Sequence, residues 1–285
     1  MEEVTPLGTV PFRPDGPRVT RVGLGGEGIL RTSGRSLEAV EVIEAALSEG
    51  ITYFDSAPAY AQCEDYHGRV WPRHPEARAR VVVAGKSASR DREGALRDLH
   101  RSLQRMGTDR LDLWQIHDLR TREDLSAIEA PGGALEAFVE ARSSGKVGAI
   151  GVTGHHDPRV LTHAVVHWPV DAVLLPVNPV EAVLGGFLDV TLEAAREKGL
   201  AILGMKVLGG GEYLSPGAGV TAEVLIRFAL SQPISLAVVG CGNPREVRTL
   251  ASCVRDHRPM TPDEQEALLD VFRPYARKLA FYRGR

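Results

Sequence analysis

Short apolar runs alternate with amphipathic segments along most of the chain. Runs such as Val81–Ala84 and Leu236–Val239 are almost wholly apolar, as expected of strands covered on both faces of a parallel sheet. The segment Ser36–Leu47 repeats apolar residues at helical spacing and predicts a helix with one buried face. The alternation predicts further strands at 51–54, 81–85, 111–116, 147–152, 171–176, 201–206 and 235–240.

Helices are predicted between these strands. They cover 62–71, 92–106, 132–144, 158–167, 187–198, 221–231 and 244–254, with a last helix near 262–279. Ahead of them, residues 6–24 predict a small hairpin leading into a first core strand, Val19–Leu24. Residues 118–130 and 209–220 are predicted to be the longest loops. Because both follow strand ends, they are the candidate substrate and cofactor loops.

This order of elements predicts one α/β domain over residues 1–285, because no long Pro- or Ser-rich linker interrupts it. Eight strands alternating with helices predict a closed (β/α)8 TIM barrel, here with an N-terminal β-hairpin. A doubly wound open sheet is the alternative. It is less favoured because no suitably placed acidic residue follows the first strand-to-helix turn, Gly23–Gly28, and a glycine-rich turn of this kind is weak evidence on its own.

Charge and cysteine content narrow the function classes. The 34 Lys and Arg residues against 37 Asp and Glu residues, with mixed signs along the chain, argue against a nucleic-acid or membrane partner. Three widely spaced cysteines argue against a disulfide framework. The acidic start and the lack of an apolar run of ~20 residues predict a soluble, cytoplasmic protein. Oligomeric state is not indicated.

Polar side chains follow three successive predicted strands. Asp55 ends the second strand and Tyr60 lies shortly after it, Lys86 ends the third, and His117 ends the fourth. The carboxyl ends of barrel strands surround one active-site mouth, and neighbouring strands are ~4.8 Å apart. Taken singly, Asp55 could cap a helix, Tyr60 and His117 could pack in the core, and Lys86 could be a surface lysine. Because all four follow consecutive strand ends, we predict that they form an active site.

These groups define a chemistry. Lys86, paired with Asp55, is expected to lower the pKa of Tyr60. Tyr60 would then donate a proton to a carbonyl oxygen in reduction and accept it in oxidation, while His117 orients the carbonyl. No nucleophile is evident, so a cofactor must carry the electrons.

Two glycine-rich turns predict where that cofactor binds. Residues 204–211 and 240–244 follow the last two strands, where barrels of this class commonly bind phosphate. Lys206, Arg245 and Arg248 supply positive charge nearby. Ordinary tight turns are the alternative interpretation.

The chain resembles the aldo-keto reductase family over almost its whole length. The resemblance rests on Gly50–Tyr60, Val83–Lys86, Leu111–His117, Gly145–Thr153 and the glycine turn after the last strand. It implies a (β/α)8 barrel that reduces carbonyls with NADPH or, less often, NADH. It also implies that Asp55, Tyr60, Lys86 and His117 are a catalytic tetrad, and that Glu64 occupies an acidic position beside the cofactor.

Several positions depart from the family pattern. Gly154 and Leu174 replace an Asn and a Gln that hold the nicotinamide amide, and Met205 replaces an aromatic residue. Gly240 and Glu246 stand where many NADPH-dependent members carry Lys and Arg, and Leu250 replaces an adenine-contacting Asn. NADP(H) is favoured because the family uses NADH less often, and NAD(H) is possible. The predicted cofactor-binding residues are Gly26, Thr153, Gly154, Met205, Lys206, Val207, Gly209, Gly240, Gly242, Asn243, Arg245 and Glu246.

Three functions are compatible with these residues. The leading hypothesis is an NAD(P)H-dependent reductase of a small-molecule aldehyde or ketone. The alternative is a catalytically weak, nicotinamide-binding regulator or sensor, as among channel β-subunits of the family. A metal-assisted hydrolase using His117 and His155 is less favoured, because adjacent histidines such as His155 and His156 point apart and rarely bind one ion. Phe281 and Tyr282 are candidates to line the substrate pocket.

Overall fold

The computed structural model describes residues 7–14 and 16–284. In this part of the chain, eight parallel strands close into a barrel in sequence order, and the last pairs with the first. The strands of the barrel are β3 (Val22–Gly28), β4 (Tyr53–Asp55), β5 (Val82–Ser87), β6 (Leu113–Ile116), β7 (Ile150–Thr153), β8 (Ala172–Pro176), β9 (Ala201–Met205) and β10 (Leu236–Cys241). The predicted TIM barrel is therefore confirmed.

Helices cover the outside of the barrel. They are α1 (Ser36–Ser48), α2 (Cys63–Val70), α3 (Pro75–Arg78), α4 (Arg92–Met106), α5 (Arg122–Glu129), α6 (Ala134–Ser143), α7 (Pro158–His167), α8 (Pro179–Leu184), α9 (Leu192–Glu197), α10 (Ala222–Leu230), α11 (Pro244–Arg255), α12 (Pro262–Phe272) and α13 (Ala276–Leu279). Short 3-10 turns lie at Ile29–Arg31, Trp71–Arg73, Gly209–Gly211 and Pro216–Ala218, and one π-helical turn at Phe187–Thr191.

The alternation of side chains along each strand decides what enters the barrel. In β5, Val82 and Ala84 belong to the inner apolar cluster, while Val83 packs outward against the helices. In β4, Tyr53 faces inward and Phe54 outward. Because successive side chains point to opposite faces, Lys86 continues the inward row of β5.

The predicted hairpin closes the amino end of the barrel. Its strands β1 (Thr9–Pro11) and β2 (Arg18–Thr20) are antiparallel, with Thr9 opposite Thr20. Phe12, at the tip of β1, is buried and stacks on Tyr53 with ring centroids 6.2 Å apart. A cleft of about 630 Å³ lies at this end, lined among others by Arg13 and Arg196, and none of the four predicted catalytic residues lines it.

The predicted loop at 118–130 is wrong, because it contains helix α5. Thr121 Oγ1 accepts a hydrogen bond from the Asp124 N–H at 3.2 Å, and the Asp124 carboxylate accepts one from the Thr121 N–H, also at 3.2 Å. This capping box starts the helix, and the buried side chains Leu125 and Ile128 hold it on the barrel. The 209–220 loop is confirmed apart from its two short 3-10 turns.

Two other predicted helices are divided. The 187–198 segment begins as a π-helical turn and becomes α-helical only at α9. Gly185 and Gly186, with φ of 73° and 97°, end the unpredicted helix α8 just before it. The 262–279 segment is interrupted between α12 and α13. Helix α3 is also unpredicted, and its four residues are too few for a periodic pattern.

Candidate active site

A buried ion pair lies at the carboxyl end of the barrel. Asp55 is the last residue of β4, and Lys86 lies near the end of the neighbouring strand β5. The Lys86 Nζ donates to Asp55 Oδ2 at 2.6 Å and to the Ser56 carbonyl at 2.9 Å. The Lys86 side chain has no exposed surface, so its charge depends on these partners.

Tyr60 is held above this pair by the loop that follows β4. Its N–H donates to the Ala57 carbonyl at 3.0 Å, and the Lys86 Nζ lies 4.9 Å from its ring centroid. Gly26, at the end of β3, makes room for the ring, since a Cβ atom there would lie 2.5 Å from a ring carbon. The Tyr60 hydroxyl is 3.4 Å from His117 Nε2. The four predicted catalytic residues therefore meet at one mouth.

Arg90, which the sequence did not single out, fixes the backbone at His117. Its guanidinium donates to the carbonyls of His117 and Asp118, each at 2.8 Å, and to Asp124 Oδ1 at 2.9 Å. The His117 N–H donates to the Ser87 carbonyl at 2.8 Å. A planar guanidinium can serve several acceptors at once, so Arg90 ties the end of β6 to the start of α5.

Burial keeps His117 neutral. Desolvation, assisted by the positive charge of Lys86, lowers the pKa of His117 to about 3. A neutral imidazole that carries its hydrogen on Nε2 can donate it to a substrate carbonyl placed beside the Tyr60 hydroxyl, without adding a charge.

The expectation that Lys86 lowers the pKa of Tyr60 is wrong for this structure. Burial, followed by the negative charges of Asp55 and Glu27, raises the pKa of Tyr60 well above its ordinary value. The physical reason is that the Lys86 ammonium is paired with the Asp55 carboxylate, so the pair contributes little net positive charge. Tyr60 is consequently a protonated phenol with a proton to donate.

The residues predicted to hold the nicotinamide lie at neighbouring strand ends. Thr153 ends β7, and its hydroxyl oxygen accepts from the Asp118 N–H at 3.1 Å. At Gly154, a Cβ atom would lie 2.9 Å from the Leu119 carbonyl oxygen, which accounts for glycine where the family pattern has Asn. Leu174 is buried inside the barrel, and Met205 at the end of β9 is partly exposed.

Asn178 was missed by the sequence analysis. Its side chain caps α8 by accepting from the Glu181 N–H at 3.0 Å, and its amide donates to the Lys206 carbonyl at 3.1 Å and the Tyr282 hydroxyl at 2.9 Å. It thereby fixes Lys206 in a left-handed conformation, with φ of 55°. The Asn-Pro pair directly after β8 was the available signal, as it was for Asn243 at α11.

The glycine turn after β9 presents bare backbone. Gly209, Gly210 and Gly211 all have positive φ, at 58°, 67° and 98°. A Cβ atom added to Gly210 or Gly211 would meet nothing within 4 Å, so the turn has open space beside it. Val207 is buried beneath the turn. Backbone N–H groups that no side chain shields can approach phosphate oxygens closely.

The start of α11 already carries a carboxylate. Asn243 Oδ1 accepts from the N–H groups of Arg245 and Glu246 at 3.0 and 3.1 Å. Glu246 Oε2 accepts from the Gly242 N–H at 2.7 Å, and Oε1 accepts from the Asn243 amide at 2.8 Å. At Gly240, a Cβ atom would lie 2.7 Å from Glu27, which excludes a longer side chain there.

The mouth fits a dinucleotide in part. The open glycine turn and the exposed Arg245 and Arg248 suit anionic phosphates. Glu246 opposes any additional phosphate at the α11 start, because it is negative and already occupies the Gly242 N–H. Lys206 directly follows the last residue of β9 and precedes the glycine turn.

Glu64 and the C-terminal residues have structural contacts. Glu64 is buried and accepts from the Ser102 hydroxyl at 2.6 Å, which joins α2 to α4. Of the two C-terminal candidates, Phe281 is exposed, whereas Tyr282 is buried and donates from its hydroxyl to Glu181 at 2.9 Å. Tyr282 contacts His155 twice, because its carbonyl oxygen is 3.2 Å from His155 Nδ1 and the two ring centroids are 5.7 Å apart.

The part of the chain that the structure describes has neither a cluster of metal-binding side chains nor a membrane-spanning helix. No group of three or more His, Cys, Asp and Glu side chains in ranges 7–14 and 16–284 is arranged to hold a metal ion. No helix within the same ranges combines the length and apolar character needed to cross a bilayer.

The barrel, its hairpin and this strand-end tetrad define a class of protein, and comparison with known sequences identifies it. The model of the aldo/keto reductase family matches residues 21–216, so the chain belongs to that family. An aldo-keto reductase of Bacillus subtilis is 30% identical, over 57% of this chain and 51% of that protein. A 6-dehydroglucose reductase of Novosphingobium aromaticivorans is 28% identical over 73% of each.

A solved structure supports the fold. The aldo-keto reductase of Klebsiella pneumoniae in complex with NADPH superposes with a TM-score of 0.76. The match covers 94% of this chain and 96% of the other, at 20% identity. At that identity the likeness establishes the shared barrel.

Proposed function

We propose that the protein reduces an aldehyde or ketone to an alcohol, reversibly, with hydride from a nicotinamide cofactor and a proton from Tyr60. The observation that carries the proposal is the 3.4 Å approach of the Tyr60 hydroxyl to His117 Nε2, directly above the buried Lys86–Asp55 pair. Membership of the aldo/keto reductase family supports carbonyl reduction.

Each tetrad residue has a distinct task. Tyr60 remains protonated at neutral pH because its pKa is raised, and it donates that proton to the carbonyl oxygen. Neutral His117 fixes the direction of the same oxygen. Asp55 holds the Lys86 ammonium 4.9 Å from the phenol ring centroid, where the ammonium offsets only part of the negative charge that develops on Tyr60.

A nicotinamide cofactor, when bound, supplies or accepts the hydride. Thr153 and Met205 would border its reactive ring, and the backbone of Gly209–Gly211 with Arg245 would hold its phosphates. The family resemblance favours NADP(H), whereas Glu246 at the start of α11 favours NAD(H). Both NADP(H) and NAD(H) are therefore candidate cofactors.

Binding followed by turnover tests the proposal. Dissociation constants for NADPH and NADH are measured by quenching of protein fluorescence, and the tighter cofactor is then used in a screen of small aldehydes and ketones. We expect oxidation of the cofactor that depends on both protein and carbonyl compound. Failure of both cofactors to bind would contradict the proposal.

The regulatory alternative is favoured by one observation. The N–H groups of Gly242, Arg245 and Glu246 at the start of α11 are satisfied by side chains of the protein itself. Tight nicotinamide binding without turnover of any carbonyl in the screen would support this alternative over the reductase.

A further inference from the structure

The tail of the chain after α13 is joined to the carboxyl end of the barrel through one buried hydroxyl. Tyr282 is 6% exposed, and its hydroxyl donates to Glu181 Oε1 at 2.9 Å. The same hydroxyl accepts from the side-chain amide of Asn178 at 2.9 Å, and the Tyr213 hydroxyl lies 3.3 Å away. Its one hydrogen and both lone pairs are thereby used. At Tyr282 the tail therefore meets the start of α8 and the loop that carries Tyr213.

The direction of these hydrogen bonds is fixed by charge. Burial, followed by the negative charge of Glu181, raises the pKa of Tyr282, so its hydroxyl keeps the hydrogen that it donates. The amide nitrogen of Asn178 can only donate, so that hydrogen goes to Glu181. The Glu181 side chain is itself buried and is paired with Arg283, the next residue of the tail. The tail is thus held by charge-assisted hydrogen bonds, which are stronger than neutral ones.

The Asn178 amide also holds the backbone at the end of β9. Its second hydrogen goes to the Lys206 carbonyl at 3.1 Å. That carbonyl accepts from the Gly209 N–H as well, at 3.1 Å, which closes the turn leading into the glycines. Lys206 has φ of 55°, a conformation that costs energy in a residue other than glycine and persists only where the surroundings fix it. Loss of the Tyr282 acceptor would leave one Asn178 hydrogen buried and unpaired, which loosens the hold on Lys206.

Tyr213 holds the same turn from its other end. Its ring packs against Gly209, where a Cβ atom would be 2.6 Å from a ring carbon. Tyr213 is buried, and its ring meets Phe272 of α12 edge-on, with centroids 5.7 Å apart. Since its hydroxyl contacts that of Tyr282, both ends of the segment 206–213 are connected to one side chain of the tail.

We propose that Tyr282 is a positioning residue for the cofactor turn, residues 206–213, and that its hydroxyl holds this turn, through Asn178 and Tyr213, in the conformation that binds a nicotinamide dinucleotide. The proposal rests on the cofactor use proposed above. Gly209–Gly211 all have positive φ, and glycine is the most permissive residue, so a turn that contains three of them needs outside contacts to keep one conformation.

Cofactor binding tests the proposal in Tyr282→Phe and Tyr213→Phe, each of which removes a single oxygen. Dissociation constants for NADPH and NADH are measured by quenching of protein fluorescence. We expect the Kd of the tighter cofactor to rise about tenfold in each variant, with the hydride-transfer rate at saturating cofactor unchanged. A wild-type Kd in a folded Tyr282→Phe protein would overturn the proposal.

A double-mutant cycle distinguishes positioning of one turn from two separate losses. Because the two hydroxyls contact each other and act on the same segment, Tyr213→Phe/Tyr282→Phe should bind the cofactor about tenfold less tightly than the wild type, as each single variant does. Additive effects, with a loss of about a hundredfold, would show that the residues act independently and would contradict the proposal.

Hydrogen exchange reports on the turn without any cofactor. The N–H groups of Gly209 and Gly211 are hydrogen-bonded within the turn, to the carbonyls of Lys206 and Leu208. We expect their exchange to become about tenfold faster in Tyr282→Phe, with the barrel strands unchanged. Wild-type exchange at the turn, or faster exchange throughout the protein, would overturn the proposal. Failure of the wild type to bind either cofactor would instead count against the proposed cofactor use, and the exchange would still decide whether Tyr282 holds the turn.

Tyr66→Phe is the matched control, since it removes the hydroxyl of another buried tyrosine. Tyr66 lies on α2, and its hydroxyl donates to the Thr32 carbonyl at 3.0 Å. This variant should keep the wild-type Kd and the wild-type exchange at residues 206–213. Thermal unfolding checks that each variant is folded. A weakened Kd in Tyr66→Phe equal to that in Tyr282→Phe would show that the loss of any buried hydroxyl suffices, which would overturn the specific role of Tyr282.

Discussion

At the scale of single residues, burial rather than pairing sets the chemistry of the tetrad. Tyr60 lies close to a lysine, yet its pKa is raised, since desolvation and the Asp55 carboxylate outweigh the neutralised ammonium. The Tyr60 phenol therefore keeps its proton until a carbonyl oxygen begins to gain negative charge. That order of events suits reduction.

A titration of tyrosinate absorbance tests this property directly. Because its folded-state pKa is raised, we expect Tyr60 to stay protonated beyond its ordinary pKa of 10.0. The difference between wild-type protein and Tyr60→Phe isolates the signal of this residue. A tyrosine that ionises below its ordinary pKa in the wild type, and is missing from the variant, would show that Lys86 dominates after all.

Glu246 is the residue that bears on cofactor choice. Replacing it with Gln keeps an acceptor for the Gly242 N–H but removes the negative charge. One unit charge at ~4 Å in a solvated setting contributes about 1 kcal/mol, so we expect the affinity for NADPH relative to NADH to rise roughly fivefold. Fluorescence titration of both cofactors measures the ratio.

The control for this prediction is Glu223→Gln, which removes an exposed first-turn carboxylate from the neighbouring helix α10. It should leave the ratio of the two affinities unchanged. An unchanged ratio in Glu246→Gln would mean that this carboxylate has no part in cofactor choice.

At the scale of elements, the strand ends are positioned by contacts from outside the barrel. Arg90 precedes α4, reaches across to the end of β6, and pairs with Asp124 of α5. It thus connects two outer helices to the His117 backbone. An element that was predicted to be a loop, α5, is part of the support for the site.

Arg90→Lys tests this connection. A lysine ammonium cannot reach two carbonyls and a carboxylate with the geometry of a guanidinium, so His117 should lose part of its alignment. We expect kcat/KM for carbonyl reduction to fall by about tenfold, which corresponds to about 1.4 kcal/mol of alignment. Arg97→Lys, an exposed position on α4, should keep wild-type activity. Full activity in a folded Arg90→Lys protein would refute the role.

At the scale of the whole molecule, buried neutral histidines connect stability to pH. His67 of α2 is fully buried, stacks on Trp71 with ring centroids 5.3 Å apart, and neither ring nitrogen has a hydrogen-bond partner among the described residues. Burial lowers its pKa to about 3 from an ordinary 6.5. Below pH 6.5 the unfolded chain therefore binds a proton that the folded protein does not.

Stability should consequently fall with acidification through this window. The contribution of His67 is fully present above pH 6.5 and is lost as the pH falls towards 3. Between pH 7.5 and 5 we expect His67 alone to cost roughly 2 kcal/mol of unfolding free energy. Urea unfolding at both pH values measures the change, and His67→Phe should reduce it. The same pH dependence in both proteins would contradict the pKa shift.

Much of the site was predictable because barrel geometry converts strand periodicity into direction. The inward row Val82, Ala84, Lys86 could be read from alternation alone, and parallel strands bring His117 to the same mouth. Contacts that depend on loop conformation could not be read this way. The left-handed turn at Asp118, which brings its carboxylate to His155, leaves no periodic mark in the sequence.

The charges of the site were also hidden from the sequence. Whether Glu246 repels a ligand or caps its own helix depends on a side-chain conformation that spacing does not specify. The direction of the Tyr60 pKa shift depends on how deeply the loop after β4 buries the ring, which composition does not record.

The central claim is that Tyr60 delivers the proton at this mouth. Single-turnover oxidation of the prebound nicotinamide cofactor by an aldehyde, followed by absorbance, tests it most directly in wild type, Tyr60→Phe and the exposed-tyrosine control Tyr275→Phe. The account predicts a loss of about 10²- to 10⁴-fold in the hydride-transfer rate for Tyr60→Phe, with cofactor binding retained and the control unaffected. A Tyr60→Phe rate close to that of the wild type would contradict it.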